Sequence, residues 1–200
     1  MTDYTVFQDA VRDWVGRSDF SDATVTSIIR MAETTLSQSL RVRQMVVRAD
    51  AIIANGRVAL PLDFIEAEII RITNGAPLVF RTPDEFYVNT VRPKEWYTIL
   101  GEEIEFGAPI PEIEGLRITM SYFQHVPTFV DVATWLYTYH YNIYLQACNA
   151  SAALYAQEFE RATSIEGIVS GLVEIANMNY NKGKISGSTL RTRLVRKRIG

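Results

Sequence analysis

The sequence changes from a helical to a strand pattern across a stretch that begins Leu40-Arg41-Val42-Arg43-Gln44 and continues through Asn55-Gly56 to Leu60-Pro61-Leu62-Asp63-Phe64. Before it, apolar residues recur every three or four positions, as one buried helix face requires. After it, residues 42–53 are rich in β-branched side chains, and Asn-Gly is the dipeptide that a type I′ hairpin turn favours. The proline that follows has no N–H to donate, so it places the returning strand 58–62 at a sheet edge or ends it.

Helical patterns occupy both ends of the chain. In the first pattern, apolar residues recur at spacings of three and four from Tyr4 to Trp14, and Gly16 then ends it. The patterns predict four helices: residues 4–16, a second from a cap at Ser21 or Asp22 to Leu40, a third from a cap at Asp131 to about Thr163, and a fourth over residues 164–181. Because each stripe must be buried against another element, we expect the helices of the two ends to meet.

The middle of the chain alternates between strand patterns and turn signals. Thr82-Pro83 opens a short helix there, with the threonine as cap and the proline at the first helical position. The strand patterns predict one small antiparallel sheet of about five to seven strands, within residues 42–53, 58–62, 65–73, 78–81, 95–100, 103–106 and 116–123. The fold class is therefore α+β: an antiparallel helical bundle (1–40 and 131–182), an inserted β-rich domain (41–130) and an extended C-terminal tail (183–200).

Composition excludes several classes of protein. Hydrophobic residues make up 48% of the chain and charged residues 22%, as in a soluble globular protein. The single Cys148 excludes an intramolecular disulfide and a multi-cysteine zinc site, and the two histidines make a histidine-rich metal site unexpected, so we predict no cofactor and no metal. Residues 1–20 contain no apolar targeting segment, and no apolar run is long enough to span a membrane. We expect a reducing cytoplasm, or a particle assembled there.

The charge is unevenly distributed. From Lys182 to Gly200 there are seven basic residues and no acidic one, which leaves 13 basic and 23 acidic residues, a net charge of −10, in the first 181. The basic tail suits three roles: phosphate binding, a solvated end, or a docking peptide. Aliphatic residues among the charges favour docking, and the candidate docking residues are Leu190, Arg191, Arg193, Leu194, Arg196, Lys197 and Arg198.

Candidates for catalysis are weak. A general acid and base pair could come from the carboxylates of Glu102, Glu103, Glu105, Glu112 and Glu114. These residues flank turns, however, where solvated charge is expected. His140 could act as a base with Ser151 or Asp131, but a core or interface histidine is the simpler interpretation. His125 is most simply a loop residue, and Gly183-Lys-Ile-Ser-Gly187 lacks the spacing of a phosphate loop and is interpreted as a hinge. We predict no enzyme activity.

The third helix carries two apolar stripes. One is formed by Leu136, Tyr139 or His140, Ile143, Ala147, Ala150 and Leu154, and the other by Tyr137, Tyr141, Tyr144 and Cys148. A surface helix needs only one apolar stripe. Two interpretations stay open: a central helix buried on both sides, or a subunit interface formed by the three tyrosines, since tyrosine is enriched at interfaces.

The segment 40–64 resembles the head-to-tail adaptor proteins of tailed bacteriophages. In that family a helix ends in a Leu-Arg-Val-Arg-like stretch, and a hairpin and a Leu-Pro-x-Asp-Phe-Leu-like motif lead into a strand. The matching positions are Leu40, Arg41, Val42, Arg43, Gln44, Leu60, Pro61, Asp63 and Phe64, with Ile65 in place of the last leucine. Further matches at Leu78, 82–86, 120–127 and Trp135-Leu136 extend the resemblance over most of residues 20–160. The aromatic density of residues 135–144 and the stretch after Thr163 depart from the family pattern.

The resemblance implies a structural virion protein without catalytic residues. It implies a ring, commonly of twelve subunits, that docks under the capsid portal, extends the DNA channel and carries a tail or nozzle protein below. Genomic double-stranded DNA would pass through without specific binding, and the subunits would assemble in the host cytoplasm into the virion neck. An acidic body suits such a channel, and a basic tail suits an anchor on the portal. The alternatives from the residues are a nucleic-acid-binding module that uses the tail, and a small hydrolase that uses the glutamate cluster.

Overall fold

A computed structural model describes residues 3–72, 75–88, 92–130 and 133–186. The helices in these ranges are α1 Asp3–Val15, α2 Asp22–Ser39, α3 Pro83–Val88, α4 Ile110–Ile113, α5 Trp135–Tyr139, α6 Tyr141–Tyr155 and α7 Phe159–Ser186. The strands are β1 Val46–Ile52, β2 Arg57–Ala59, β3 Phe64–Ile72, β4 Val79–Phe80, β5 Trp96–Leu100, β6 Glu103–Phe106 and β7 Arg117–Gln124. The mixed α+β class is therefore confirmed.

The helices from the two ends of the chain share one hydrophobic core. α6 contacts α1, α2, α5 and α7, and the apolar faces of these helices meet around it. The predicted cap Ser21 is confirmed, since its Oγ accepts a hydrogen bond from the Thr24 N–H at 3.2 Å. A second core lies among the strands. The antiparallel arrangement of the helical bundle stays a prediction.

The strands form two sheets, so the prediction of one antiparallel sheet was wrong. The first sheet has the order β1-β7-β3 and is antiparallel throughout. The second has the order β2-β6-β5-β4, and its β4–β5 pair is parallel. β1 and β3 pair with β7, and β2 pairs with β6, across more than 40 residues of sequence, and strand periodicity alone does not specify such pairs.

The Asn55-Gly56 turn forms as predicted, but its two flanking strands separate. Asn55 has φ 53° and Gly56 has φ 73°, the left-handed values that a type I′ turn needs. A Cβ on Gly56 would also lie 2.9 Å from Ile110 Cγ1. Beyond the single bridge from Ala54 to Arg57, β1 pairs with β7 and β2 pairs with β6. The prediction that residues 58–62 pair back on the preceding strand was therefore wrong.

The predicted third helix is divided, and the fourth begins earlier than expected. The third breaks at His140, between α5 and α6, and ends at Tyr155 rather than near Thr163. The predicted cap Asp131 lies outside the described residues; Thr134 caps α5 instead.

The turn between α6 and α7 is centred on Gln157, which adopts φ 62° with the paired backbone hydrogen bonds of a Schellman motif. Glycine is the usual residue at such a position, so the residue type at 157 does not signal the turn. α7 also continues through Gly183, which was expected to be a hinge.

Candidate interaction surfaces and the helix–sheet junction

Three of the five glutamates proposed as an acid and base pair form ion pairs with basic side chains. Arg57 Nη2 lies 2.6 Å from Glu105 Oε1, and its Nη1 donates to Glu103 Oε2 at 3.0 Å. Glu112 pairs with Lys94 at the surface. The Tyr87 hydroxyl also donates to Glu105, and this bond raises the pKa of the tyrosine. These carboxylates are held by structural ion pairs, which gives no support to the hydrolase hypothesis.

An open cleft of about 600 Å³ lies beside this ion-pair cluster. Its walls come from the Asn55–Arg57 turn, the segment 105–110, Tyr87 and Arg92. The guanidinium of Arg57 is already occupied by two carboxylates. That of Arg92 lies 4.6 Å from the Phe86 ring centroid and 5.0 Å from that of Tyr87. Among the described lining residues the one hydroxyl is that of Tyr87, and Arg57 already neutralises the Glu105 carboxylate to which it donates.

Among the described residues, the histidines do not assemble a catalytic group; Asp131, the other candidate partner of His140, lies outside them. Ser151 lies 11 residues beyond His140 along α6, about 16 Å at the helical rise, which is out of hydrogen-bond range. The His140 ring meets the Trp135 ring edge-on at 6.0 Å, and burial lowers its pKa. The backbone N–H of His125 donates to the Asp63 carbonyl at 2.9 Å, as suits a loop residue. Across the described ranges, no group of three or more histidine, cysteine, aspartate or glutamate residues is placed to hold a metal ion.

The tyrosine stripe of the third predicted helix faces the chain's own α1. Tyr144 is fully buried, its ring stacks on Phe7 at 4.4 Å, and burial raises its pKa. Tyr137 meets the same phenylalanine edge-on at 5.6 Å, and Tyr141 does so at 5.9 Å while staying 39% exposed. The structure thus favours a central helix buried on both sides. Tyr144 has no surface to offer a neighbouring subunit, which restricts the interface prediction to Tyr141 and the exposed part of Tyr137.

Sequence reasoning missed a buried carboxylate that binds this stripe. Glu33 of α2 is only 4% exposed, and its Oε1 accepts hydrogen bonds from the Tyr144 hydroxyl at 2.6 Å and from the Phe129 N–H at 2.8 Å. One turn later, Ser37 Oγ accepts from the Val126 N–H at 2.9 Å. Burial raises the pKa of Glu33. Glu33 and Ser37 lie four positions apart on an otherwise apolar face of α2, and this pattern could have indicated buried polar contacts. Their hydrogen bonds hold the segment that follows β7 against α2.

The Leu40–Gln44 motif lies at the junction between the helices and the first sheet. The Arg41 N–H donates to Asn177 Oδ1 at 2.6 Å, and Asn177 Nδ2 donates to the Ser39 carbonyl at 3.0 Å. The Arg41 guanidinium donates to the carbonyls of Ser37 and Leu40, pairs with Glu66 at 3.2 Å and lies over the Phe123 ring. Leu40 is fully buried, and Arg43 is exposed in a short 3-10 turn. These residues serve structure: they tie the end of α2 to α7 and to the sheet.

The second half of the motif fixes the start of β3. Asp63 Oδ1 accepts from the Tyr122 hydroxyl at 2.9 Å, and burial together with this bond raises the pKa of Tyr122 to about 12. The Phe64 ring lies 5.7 Å from the Tyr122 ring, and the Phe64 N–H donates to the Pro61 carbonyl at 3.1 Å. Leu60 packs against the second core. The motif residues therefore close a turn onto β7, and none of them forms a pocket with a reactive group.

We expect Asn177→Ala to lower the free energy of unfolding by about 1–3 kcal/mol, because a donor and an acceptor at the junction lose their partner. Asn177→Asp keeps the acceptor for the Arg41 N–H but turns a second oxygen toward the Ser39 carbonyl, so it is also expected to destabilise. The matched control is Asn179→Ala, an exposed position on the same helix. Urea unfolding followed by circular dichroism measures all three. An Asn177→Ala midpoint equal to that of the control would show that the junction bonds contribute nothing.

Apolar side chains remain exposed on the outer helices. On α1 they are Val6 and Trp14, and on α7 they are Phe159, Ile168, Ile175 and Met178. Most of them point away from the buried residues of their helices, whereas Trp14, which the sequence pattern placed on the buried face of α1, is 53% exposed. All are candidates for contacts with other protein. In the described part of the chain, the helices lack the combination of length and hydropathy that a bilayer span requires. The candidate docking residues 190–198 lie outside the described residues.

A comparison with known proteins gives a single family. The sequence model described as SU10 adaptor protein matches residues 2–181. This range includes α1, both sheets, the junction motif and most of α7. A search of curated proteins returned no match. The match covers far more than half of the chain and agrees with the motifs at 40–64, so the chain belongs to the SU10 adaptor protein family, a family of tailed-phage head-to-tail adaptors.

Proposed function

We propose that this chain is the subunit of a ring, of twelve copies, that joins the capsid portal to the tail and extends the DNA channel. The observation that carries the proposal is the family match over residues 2–181, which includes both the helical part and the two sheets. A phage adaptor has a structural role, and the family implies interaction with portal and tail proteins and a place in the virion neck. Assembly would take place in the host cytoplasm.

Two surface features support a subunit that works by contact. The exposed apolar positions on α1 and α7 and the half-exposed Tyr141 offer surface for neighbouring copies in a ring. The net charge of −10 over residues 1–181 suits a channel wall along which double-stranded DNA slides without binding specifically. Conversely, the basic residues of the tail suit an anchor on portal carboxylates and carbonyl groups.

The ring itself is tested with the purified chain and its cognate portal. Mass measurement and particle imaging of the mixture are expected to show a closed ring of this chain beneath the portal, coaxial with its channel. The same images count the subunits. A chain that stays monomeric with the portal at micromolar concentrations would overturn the ring proposal and leave the family assignment intact.

We expect deletion of residues 187–200 to weaken portal binding at least roughly tenfold, equivalent to about 1.4 kcal/mol. The cut falls after Ser186, so that α7 stays whole. A full-length variant with Arg191, Arg193 and Arg196 replaced by glutamine separates the charges from the aliphatic residues. Co-sedimentation with portal particles measures binding, and undiminished binding of the deleted chain would contradict the tail's role.

The basic tail also favours a second function, binding of nucleic acid. Residues 182–200 carry seven basic residues and no acidic one, as a phosphate-binding arm needs. That function predicts duplex binding whose affinity falls steeply as salt rises, and it requires the tail but no portal. If the full chain binds no duplex at low salt, this alternative is removed.

A further inference from the structure

A groove of about 280 Å³ runs between α2, α6 and α7. Its floor is made by the small side chains of Ala147, Ala150 and Ser151 on α6, so the two flanking helices do not close over it. The remaining walls are Thr35 and Ser39 of α2, Leu154 of α6, and Glu166, Val169, Ser170 and Val173 of α7. At the end of the groove near Ser39, the Asn177 side chain donates a hydrogen bond to the Ser39 carbonyl and so joins α7 to α2. The groove is mainly apolar and has room for one or two aliphatic side chains.

The charge at the groove is acidic. Glu166 is the one ionisable residue in its lining, and in the described part of the chain it makes no ion pair. Glu174 lies two turns further along α7, exposed and likewise without an ion pair among the described residues. A partner that combines aliphatic side chains with positive charge therefore fits both the apolar floor and the rim.

Residues 187–200 of the same chain have this chemistry. Their sequence, Gly-Ser-Thr-Leu-Arg-Thr-Arg-Leu-Val-Arg-Lys-Arg-Ile-Gly, places Leu190, Leu194 and Val195 among five basic residues and contains no acidic one. The length also fits. Glu166 to Val173 lie 13 to 20 residues before the end of α7, or about 20–30 Å along its axis. Leu194 follows Ser186 by eight residues, which in extended form span about 26 Å.

We propose that the groove between α2, α6 and α7 binds the C-terminal segment 187–200 of its own chain, with Leu194 and Val195 on the apolar floor and the neighbouring basic residues at Glu166 and Glu174. The segment folds back along α7 from Ser186. A portal that binds the same segment must then remove it from the groove. Removal of the segment by a portal rests on the proposed function, whereas docking of the segment in the groove does not. The tail would be held back until a portal is present.

Disulfide trapping in the full chain tests the docking. One variant carries Ser170→Cys and Leu194→Cys, which joins the groove to the tail. The control carries Ile175→Cys and Leu194→Cys. Ile175 is exposed, lies about 140° around the helix from Ser170, and is five residues nearer to the tail. An undocked tail would therefore reach the control cysteine at least as often. The natural Cys148 is fully buried in both variants, and burial raises the pKa of its thiol.

We expect mild oxidation to give an intrachain disulfide in the groove variant with a yield about tenfold above that of the control, because docking raises the effective concentration of the tail at the groove. Non-reducing electrophoresis and peptide mapping identify the product. Equal yields in both variants, or a disulfide between two chains, would overturn the proposal. Circular dichroism of the reduced variants checks that both are folded.

Portal binding separates the two proposals. The oxidised groove variant should bind portal particles about tenfold more weakly than its reduced form, because its tail is held. If trapping fails while the deletion of 187–200 still abolishes portal binding, only the groove proposal is lost. If trapping succeeds while the deletion leaves portal binding unchanged, docking stands and the portal role of the tail is lost.

Discussion

Glu33→Ala is expected to lower the free energy of unfolding by about 2–5 kcal/mol, the largest effect that we predict for a polar residue. The substitution leaves the Tyr144 hydroxyl and the Phe129 N–H buried without an acceptor. It also releases the segment after β7, which links the first sheet to α5. Urea unfolding at neutral pH, followed by far-UV circular dichroism, measures the loss.

Glu33→Gln is the matched control, because an amide keeps one oxygen to accept both hydrogen bonds. It should lose much less stability than the alanine variant. Equal losses for the two variants would show that packing, not hydrogen bonding, accounts for the effect.

The same pair of proteins tests the protonation of Glu33. Burial raises its pKa above the usual value of 4.5, so over the window between the unfolded and folded pKa values the native state binds more protons than the unfolded chain. Stability that depends on this group therefore falls as pH rises through the window. The wild-type chain should lose stability relative to Glu33→Gln as pH rises from about the unfolded pKa. A constant difference over that range would contradict the raised pKa.

Phe7→Ala is expected to cost about 3–5 kcal/mol, as for other large aromatic side chains removed from a core. Phe7 is fully buried and touches the rings of Tyr137, Tyr141, Tyr144 and Phe129. The control is the adjacent Val6→Ala, which is exposed and should cost less than about 1 kcal/mol. The pair decides which role the tyrosine stripe plays.

Chemical denaturation and ring assembly on the portal give different outcomes for the two interpretations. If the stripe belongs to the core, Phe7→Ala destabilises the isolated chain. If the stripe is chiefly a subunit interface, Phe7→Ala leaves the stability of the monomer near that of the wild type and reduces assembly instead. Conversely, Tyr141→Ala removes a half-exposed ring and should affect assembly more than monomer stability.

Local signals in the sequence predicted local structure well. Ser21 caps α2, Thr82 and Pro83 open α3, and Asn55-Gly56 adopts the left-handed turn that its residue types favour. In each case the decisive interaction lies within about four residues, so the residue types alone determine it. The family motifs at 40–64 likewise depend on order and spacing along the chain, and the match over residues 2–181 agrees with them.

Contacts between residues that lie far apart in the sequence could not be predicted from local residue types. Strand patterns marked β1 and β2 but did not show that β1 pairs with β7 and β2 with β6. The turn at Gln157 uses a residue type that rarely adopts positive φ, and it forms where α6 and α7 pack against each other. The tyrosine stripe had two acceptable partners, and only the packing of α1 distinguishes them.

Residue types and their order were enough to predict the α+β class, the starts of α2 and α3, the Asn55-Gly56 turn and the adaptor family, because each depends on periodicity, caps or ordered motifs. Three features became visible only in the folded chain: the division into two sheets, the buried hydrogen bond from Tyr144 to Glu33, and the hydrogen bond from Arg41 to Asn177 across 136 residues. These features depend on which surfaces meet when the chain closes on itself. Pairing and burial are properties of the assembled core, and no local pattern specifies them.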